Sequence, residues 1–353
     1  MAIHRPCGTF DRTYYEAKAI FRTRLQWGMI TALILALYGI AFVMNDYLLG
    51  LSIVIFSFIV AMLGLQIITG YAGQISIGHA AFMGVGMYVL ACVEAHLGWS
   101  WWVGMPLAGI GAGLVSMFFG SPSARLKELY LAFASLAAHF IIVYVISNWE
   151  TMTGGVDGIW LSRPEPLLGI DFMVEHNYYL LVLTLCIAMI YLAKNLARTK
   201  LGRAFVAVRD NDIAAEVMGI NIFNTKLLAF GIGGFFAGIG GAMYAGYNEY
   251  VNVEFFPLND SIWFLGFLVV GGFGSIFGAI CAAVLWKLLD EMATLMTPVF
   301  TEILPGLAFY VTASFSLIMY TLVIVIFLVL EPRGINHRWN IIKASYRLHP
   351  FAY

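Results

Sequence analysis

Apolar runs about as long as a bilayer is thick recur along this chain and constrain its fold more than any other feature. A helix needs roughly 20 mostly apolar residues to cross about 30 Å of hydrocarbon, because each residue adds about 1.5 Å. Ten segments approach that length: 28–47, 50–69, 80–97, 102–120, 129–148, 177–197, 226–247, 260–272, 276–290 and 306–330. Charged residues make up only 11% of the chain, against about a quarter in soluble domains. We therefore predict an all-α, polytopic membrane protein with about ten transmembrane helices.

One of these runs is too short to cross a bilayer alone. Gly271, Gly272 and Gly274 separate the run at 260–272 from the run at 276–290. The pair can be two spans or two half-helices, and this alternative leaves the number of spans between eight and eleven. The fold is therefore expected to contain broken or re-entrant glycine-rich segments.

The basic residues predict how the chain is oriented. With a cytoplasmic N-terminus and ten spans, 17 of the 19 Lys and Arg residues fall on the cytoplasmic side, all except Arg163 and Lys287. Both termini are then cytoplasmic. The expected regions are an N-terminal extension (1–27), a transmembrane domain (28–330) with a periplasmic loop (149–176) and a cytoplasmic loop (198–225), and a cytoplasmic tail (331–353).

Composition and missing motifs argue against several classes of function. A net charge of −1 does not suit a nucleic-acid binder. The four cysteines and the histidines show no spacing typical of a metal site or a disulfide framework. No phosphate-binding G-x-x-x-x-G-K-[S/T] loop, H-E-x-x-H or G-x-S-x-G occurs. We therefore expect no cofactor, no metal and no enzymatic activity in this chain.

Charges inside the predicted spans are scarce. Glu94, Lys194, Lys226 and Lys287 all lie near predicted span ends, where long side chains reach the interface. A carrier driven by protons or ions usually has carboxylates near the membrane midplane. The sequence shows no convincing residue of that kind, which argues against such a carrier.

The segment from Gly70 to Gly86, GYAGQISIGHAAFMGVG, places polar residues at membrane depth. Glycine-broken polar backbone is tolerated where it is packed in protein or lines a water-filled cavity. Gln74, Ser76 and His79 are therefore candidates for the lining of a translocation pathway. Close packing of helices through small residues is the alternative explanation. For His79 alone, a structural hydrogen bond explains the residue as well as contact with solute does.

The cytoplasmic loop contains a short amphipathic helix by its pattern. Asp212 and Glu216 are one turn apart within residues 210–218, and apolar side chains recur at helical spacing. Asn211 suits the N-cap and Gly219 the C-terminal stop. This helix, flanked by Arg209, either lies at the lipid headgroups or docks on a partner protein.

The periplasmic loop holds the sequence TGGVDG, whose glycines suit tight turns. Alone, this motif is a weak indication of function. Its residues are Thr153, Gly154, Gly155, Asp157 and Gly158.

Five motifs together resemble those of the branched-chain amino-acid ABC permeases of the LivM and LivH type. They occur in the family's order, between about residues 64 and 335: GYAGQISIGHAAFMGVGMY, TGGVDG, LGRAFVAVRDNDIAAEVMGIN, GGFGSIFGA and EPRGI. TGGVDG is similar to the LivM branch. Asp212 stands where the family commonly has glutamate, which is a conservative change. The polar extension at residues 1–27 is not obviously typical of the family.

The resemblance implies the permease subunit of an ATP-binding cassette importer in the bacterial inner membrane. Its expected partners are a second, LivH-like permease subunit, two ATP-binding subunits and a periplasmic substrate-binding protein. Coupling to the ATPase is expected at Arg209, Asp212, Glu216 and Gly219. The expected substrates are branched-chain or related amino acids, with urea or short amides as the alternative. A secondary transporter that works without an ATPase is the rival from another class, and a membrane-embedded enzyme is a weaker third.

Overall fold

The computed structural model describes residues 24–123, 128–167, 169–303 and 308–348, and the structure is almost entirely helical. The longer helices of the first half are α1 (Arg24–Ile40), α2 (Asp46–Leu65), α3 (His79–Leu97), α4 (Trp101–Ser123) and α5 (Glu128–Asn148). They are followed by α6 (Glu150–Thr153), α7 (Glu175–Leu196), α8 (Lys200–Asp210), α9 (Asp212–Val217), α10 (Ile222–Asn248), α11 (Leu258–Gly271), α12 (Ile276–Ile303), α13 (Ala308–Leu330) and α14 (Ile335–Leu348). The predicted all-α fold is confirmed. Most of the predicted N-terminal extension, residues 1–23, lies outside the described residues.

Seven helical segments in the described part of the chain are long and apolar enough to cross a membrane. They are Asp46–Tyr71, His79–Leu97, Trp101–Pro122, Tyr130–Asn148, Glu175–Leu196, Ile222–Asn248 and Val253–Gly271. The bent pair Ser314–Leu330 and Ile335–Lys343 makes eight if it counts as one span. The protein is thus a polytopic membrane protein, while the expected number of about ten spans is not confirmed.

Helix α10 lies at the centre of the bundle and packs against α2, α3 and α4. Its glycines let backbones approach closely, because a methyl group at Gly238 would lie 2.5 Å from the carbonyl oxygen of Ala108 on α4. Gly86 of α3 packs against the same residue of α10 from another side. Small residues at helix contacts are the usual solution inside a membrane. The core of the fold is therefore a glycine-mediated packing of four helices.

The structure distinguishes the two alternatives for the runs at 260–272 and 276–290. The first is the short helix α11, which has 14 residues. The second is α12, a full-length helix of 28 residues that continues well beyond position 290 to Ile303. The two runs are therefore not a pair of half-helices, and the predicted end of the second run was wrong.

The loop at 149–176 contains the short strand β1 (Ile159–Trp160), which pairs antiparallel with β2 (Tyr250–Val251) after α10. This ribbon closes one end of the bundle, hereafter the ribbon end. Helices α8 and α9 connect α7 to α10 at the opposite end of these helices, hereafter the α9 end.

Candidate functional site

The helical structure is interrupted between α2 and α3, as the glycine-rich sequence predicts. Helix α2 passes into a π-helical turn, Gln66–Tyr71, and α3 begins only at His79. The intervening backbone is held by side chains, since the Thr69 hydroxyl donates to the Gln74 carbonyl at 2.9 Å and Ser135 Oγ accepts from the Ile77 N–H at 2.9 Å. A π-helical turn beside a break is often found at functional sites.

The ring of His79 lies 2.8 Å from a backbone acceptor, measured from its Nε2 to the Ala61 carbonyl oxygen of α2. The residue is fully buried, and its ring packs edge-on against Phe264 at 5.9 Å between centroids. A buried imidazole that bonds a carbonyl fixes the start of α3 against α2. These contacts favour the structural explanation of His79 over direct contact with solute.

Gln74 and Ser76 are fully buried without hydrogen-bond partners for their side chains among the described residues. The same is true of Gln66, one turn before the break, whose amide lies against Gly70. Each unsatisfied buried polar group costs about 1–3 kcal/mol. Three such side chains within eleven residues need a common explanation. Sequence reasoning missed Gln66 because it lies inside a continuous apolar run.

The end of the predicted segment serves helix packing instead. A methyl group at Gly84 would lie 2.5 Å from the ring of Phe256, and Gly86 packs against the backbone of Gly238. The two explanations that the sequence leaves open therefore apply to different parts of this segment. Small residues explain positions 84–86, whereas the buried polar residues at 66–76 are not explained by packing.

Arg209, at the C-terminal end of α8, joins the loop at 198–225 to the broken segment. Its Nη1 donates to the Gly70 carbonyl oxygen at 2.8 Å, and its Nη2 lies 2.8 Å from Asp210 Oδ1. The aliphatic part of Arg209 packs on Gly73, where φ is +69°, and its guanidinium lies beside Gly274. One side chain thus contacts both glycine-rich segments of the chain.

Helix α9 has the capping that the sequence predicts. Asn211 Oδ1 accepts from the Ala214 N–H at 2.9 Å, and Gly219 ends the helix with φ of +83°. The loop at 198–225 contains two helices rather than the one that the sequence predicts, because Asn211, in an extended conformation, separates α8 from α9. Asp212 is half-buried, and Glu216 is exposed.

The apolar side chains of α9 do not pack into the bundle. Ile213 is 71%, Val217 82% and Met218 81% exposed, while Ala215 on the other face is buried. An exposed apolar patch on a short helix is typical of an interaction surface. Its occupant is either lipid or a partner protein, which are the two alternatives from the sequence.

The TGGVDG motif forms the turn at the ribbon end. Thr153 donates to the Ile146 carbonyl oxygen at 2.6 Å and ends α6, while Gly154, Gly155 and Gly158 all have positive φ. The hydroxyl of Tyr250 donates to the Asp157 carbonyl oxygen, which ties the turn to the ribbon. These contacts give the motif a structural role.

Arg163 holds the ribbon end together, which the sequence did not predict. Its Nε lies 2.7 Å from Glu249 Oε1, and its Nη2 lies 3.6 Å from Glu175 Oε1. Among the described residues, Glu249 is the one residue other than glycine that has a positive φ, at 56°. Its carbonyl oxygen accepts a hydrogen bond from the Leu161 N–H. TGGVDG lies beside the C-terminal part of α3, where His96 bonds the Met152 carbonyl oxygen, whereas Arg209 contacts the broken segment that precedes α3.

These features define a multi-pass membrane protein with a broken helix and a short helix whose apolar side chains are exposed outside the bundle. Residues 47–328 match the family model described as "Branched-chain amino acid transport system / permease component". Because this match covers most of the chain, the protein belongs to that family, which confirms the resemblance seen in its motifs.

The curated relatives are named as permeases of the same kind. The high-affinity branched-chain amino acid transport system permease protein LivM of Salmonella typhimurium is 30% identical over 258 residues, 67% of this chain and 61% of the relative. The Escherichia coli protein of that name matches equally. A probable LivM of Methanocaldococcus jannaschii is 26% identical over 59% of this chain. The match spans about three fifths of the length of these relatives, and no solved structure matches the chain.

Proposed function

We propose that this chain is the transmembrane permease subunit of an ATP-binding cassette importer in the bacterial inner membrane. It translocates branched-chain or related amino acids that a periplasmic binding protein delivers at the ribbon end. Its partners are a second, LivH-like permease subunit and two ATP-binding subunits, which dock at the α9 end. Family membership and the names of the relatives support this role.

The hydrogen bond from Arg209 of α8 to the Gly70 carbonyl oxygen of the broken segment is the observation on which the proposal rests. An ATP-binding subunit that moves α9 also moves α8, because a single extended residue separates the two helices. Arg209 passes this motion to the broken segment through the Gly70 carbonyl. The exposed Ile213, Val217 and Met218 supply the apolar contact for the partner, and Glu216 supplies a charge beside it. An amphipathic helix laid into an apolar groove is a common mode of recognition.

The pathway passes the broken segment in this proposal. The buried, unpartnered polar groups of Gln66, Gln74 and Ser76 support that placement, because water or solute would satisfy them when the segment moves. His79 then positions the start of α3 rather than contacting solute. Rigid-body rocking of helices around this segment is the expected motion.

Replacing Glu216 with arginine tests the docking role of α9. We expect the number of leucine molecules imported per ATP hydrolysed to fall about tenfold in the assembled complex, because the charge at the docking surface is reversed. The measurement is uptake and ATP hydrolysis in the same proteoliposomes. Lys200→Glu, which reverses an exposed charge at the start of α8 and outside α9, is the matched control and should change the ratio less than about twofold. Unchanged coupling in Glu216→Arg would exclude the docking role.

Cysteine labelling at Ser76 tests the pathway. In a background without the native cysteines, we expect Ser76→Cys to react with a water-soluble, membrane-impermeant thiol reagent during ATP turnover. Ser57→Cys is the control, because Ser57 is equally buried but its hydroxyl bonds the Ile53 carbonyl oxygen within α2. Protection of Ser76→Cys in every state, resting and turning over, would refute the proposed path.

A further inference from the structure

Charged residues lie in the middle of α12, where the sequence did not place them. Lys287 and Asp290 lie about 16 and 21 Å along the axis from Ile276, at about 1.5 Å per residue. Helix α12 starts beside Gly274, next to Arg209, so these residues lie near the middle of a roughly 30 Å hydrocarbon layer. Ionisable residues at that depth are expensive and usually functional.

Three helices contribute to this charged cluster. Lys287 Nζ lies 3.3 Å from Asp290 Oδ2, and the Tyr320 hydroxyl of α13 donates to Asp290 Oδ1. Asp260, in the first turn of α11, is close enough to interact electrostatically with both charged residues of α12. Its carboxylate has no ion pair or hydrogen bond with any residue that the structure describes. The three charged residues sum to −1.

Three aromatic rings pack against one side of this cluster. Lys287 Nζ lies 4.2 Å from the ring centroid of Phe58 and 4.8 Å from that of Trp286. The ring of Phe264 packs against both, at 5.6 Å from Phe58 and 4.9 Å from Trp286. Buried aromatic rings therefore pack beneath one ammonium and beside two carboxylates, and keep this side of the cluster dry.

The cluster is also open toward one side of the chain. The side chain of Asp290 is 46% exposed and that of Lys287 14% exposed. A half-exposed carboxylate at this depth does not face lipid, because charged groups inside a bilayer turn toward protein or a water-filled cavity. The open side therefore faces a water-filled path or the surface of a partner subunit.

The cluster adjoins the broken segment. Ser261, the neighbour of Asp260, accepts a hydrogen bond from the Ala80 N–H at 2.9 Å through its hydroxyl oxygen. Phe264, one turn further along α11, packs against the His79 ring. The start of α3 is thus in direct contact with the helix that carries Asp260.

We infer that Asp260, Lys287 and Asp290 form a subsite for the ammonium and carboxylate groups of an apolar α-amino acid. Asp260 receives the ligand's ammonium and Lys287 receives its carboxylate, while the buried rings of Phe58 and Trp286 hold the Lys287 ammonium in place. A simple anion would meet two carboxylates, and a metal ion would meet the Lys287 ammonium. A zwitterion can place each of its two charges beside a group of the opposite sign. This inference rests on the proposed function and names the residues that select its substrate.

Leucine uptake by the assembled complex in proteoliposomes tests the subsite. We expect Asp260→Asn and Lys287→Met each to lower uptake by roughly tenfold or more, since a lost charged hydrogen bond has an effect of that size. The rate of ATP hydrolysis stimulated by the binding protein should stay within about twofold of the rate of the unmodified complex. Glu291→Gln is the control, because Glu291 lies on the same helix but bonds Tyr47. Unchanged uptake in both variants would overturn the subsite.

A measurement on the unchanged complex removes any dependence on variant folding. Without the binding protein, millimolar leucine should raise the melting temperature more than leucinol, which lacks the carboxylate, or isocaproate, which lacks the ammonium. Equal shifts for the three compounds, or no shift with leucine, would refute the subsite. If the unmodified complex imports no amino acid with ATP, the proposed function fails instead, so the two failures are distinguishable.

Discussion

Replacing Gly238 with valine is expected to prevent the bundle from assembling. The new Cβ would lie 2.5 Å from the Ala108 carbonyl oxygen and 2.6 Å from the Ala112 Cβ on α4. Gly86 of α3 closes the same position from another side. Backbone atoms do not yield as a flexible side chain does, so α10 would have to move away from both neighbours. We expect a destabilisation of about 3 kcal/mol or more.

The yield of monodisperse protein in mild detergent measures this effect, and we expect at least a fivefold loss. Gly39→Val is the matched control, because nothing lies within 4 Å of the Cβ that would be added there in α1. Its yield should stay within about twofold of the original. Equal yields for the two variants would contradict the central position of α10.

Replacing Arg209 with alanine is expected to uncouple transport from ATP hydrolysis. The change removes a charge-assisted hydrogen bond to the Gly70 carbonyl, worth about 1.5–3 kcal/mol, and empties the space on Gly73. The broken segment would then no longer follow α8. Leucine import per ATP should fall by roughly tenfold or more, while the ATP-binding subunits still co-purify with the permease.

Arg203→Ala provides the control for this change. Arg203 lies on the same helix. Within the described part of the chain, its guanidinium donates a hydrogen bond to the nearby Arg198 carbonyl oxygen and does not reach the broken segment. Coupling in this variant should remain within about twofold. If Arg209→Ala retains full coupling, the connection from α9 to the broken segment does not carry the motion.

The sequence predicted those features that depend on local patterns. Hydrophobic length identified the membrane-spanning helices, and glycine with buried polar residues identified the break before His79. Asn211 and Gly219 marked the ends of α9, because capping and left-handed stops involve only neighbouring residues. The motifs also identified the family.

Features that depend on distant partners were not predictable. Arg163 pairs with Glu249 and Glu175, which are 86 and 12 positions away in the sequence, so no local pattern indicates the pairing. Gln66 lies in an apolar run, and only the fold shows that its amide is buried without a partner in the described chain.

Lys287 shows how a wrong helix end changes an interpretation. A span ending at 290 puts Lys287 and Asp290 near its end, whereas α12 continues to Ile303 and has both residues near its middle. Asp290 therefore lies near the middle of a long helix, a position that the sequence argument about charges did not consider. The argument against an ion-driven carrier then depends on the family rather than on the distribution of charge.

The central claim is that this chain imports amino acids only with separate ATP-binding subunits. The most direct test is leucine uptake into proteoliposomes that contain the chain with its second permease subunit, the ATP-binding subunits and the binding protein. We predict concentrative uptake with ATP on the side of the ATP-binding subunits, and none when these subunits are omitted or ATP is replaced by a non-hydrolysable analogue. Concentrative uptake by the permease subunits alone, driven by a proton or sodium gradient, would contradict the claim.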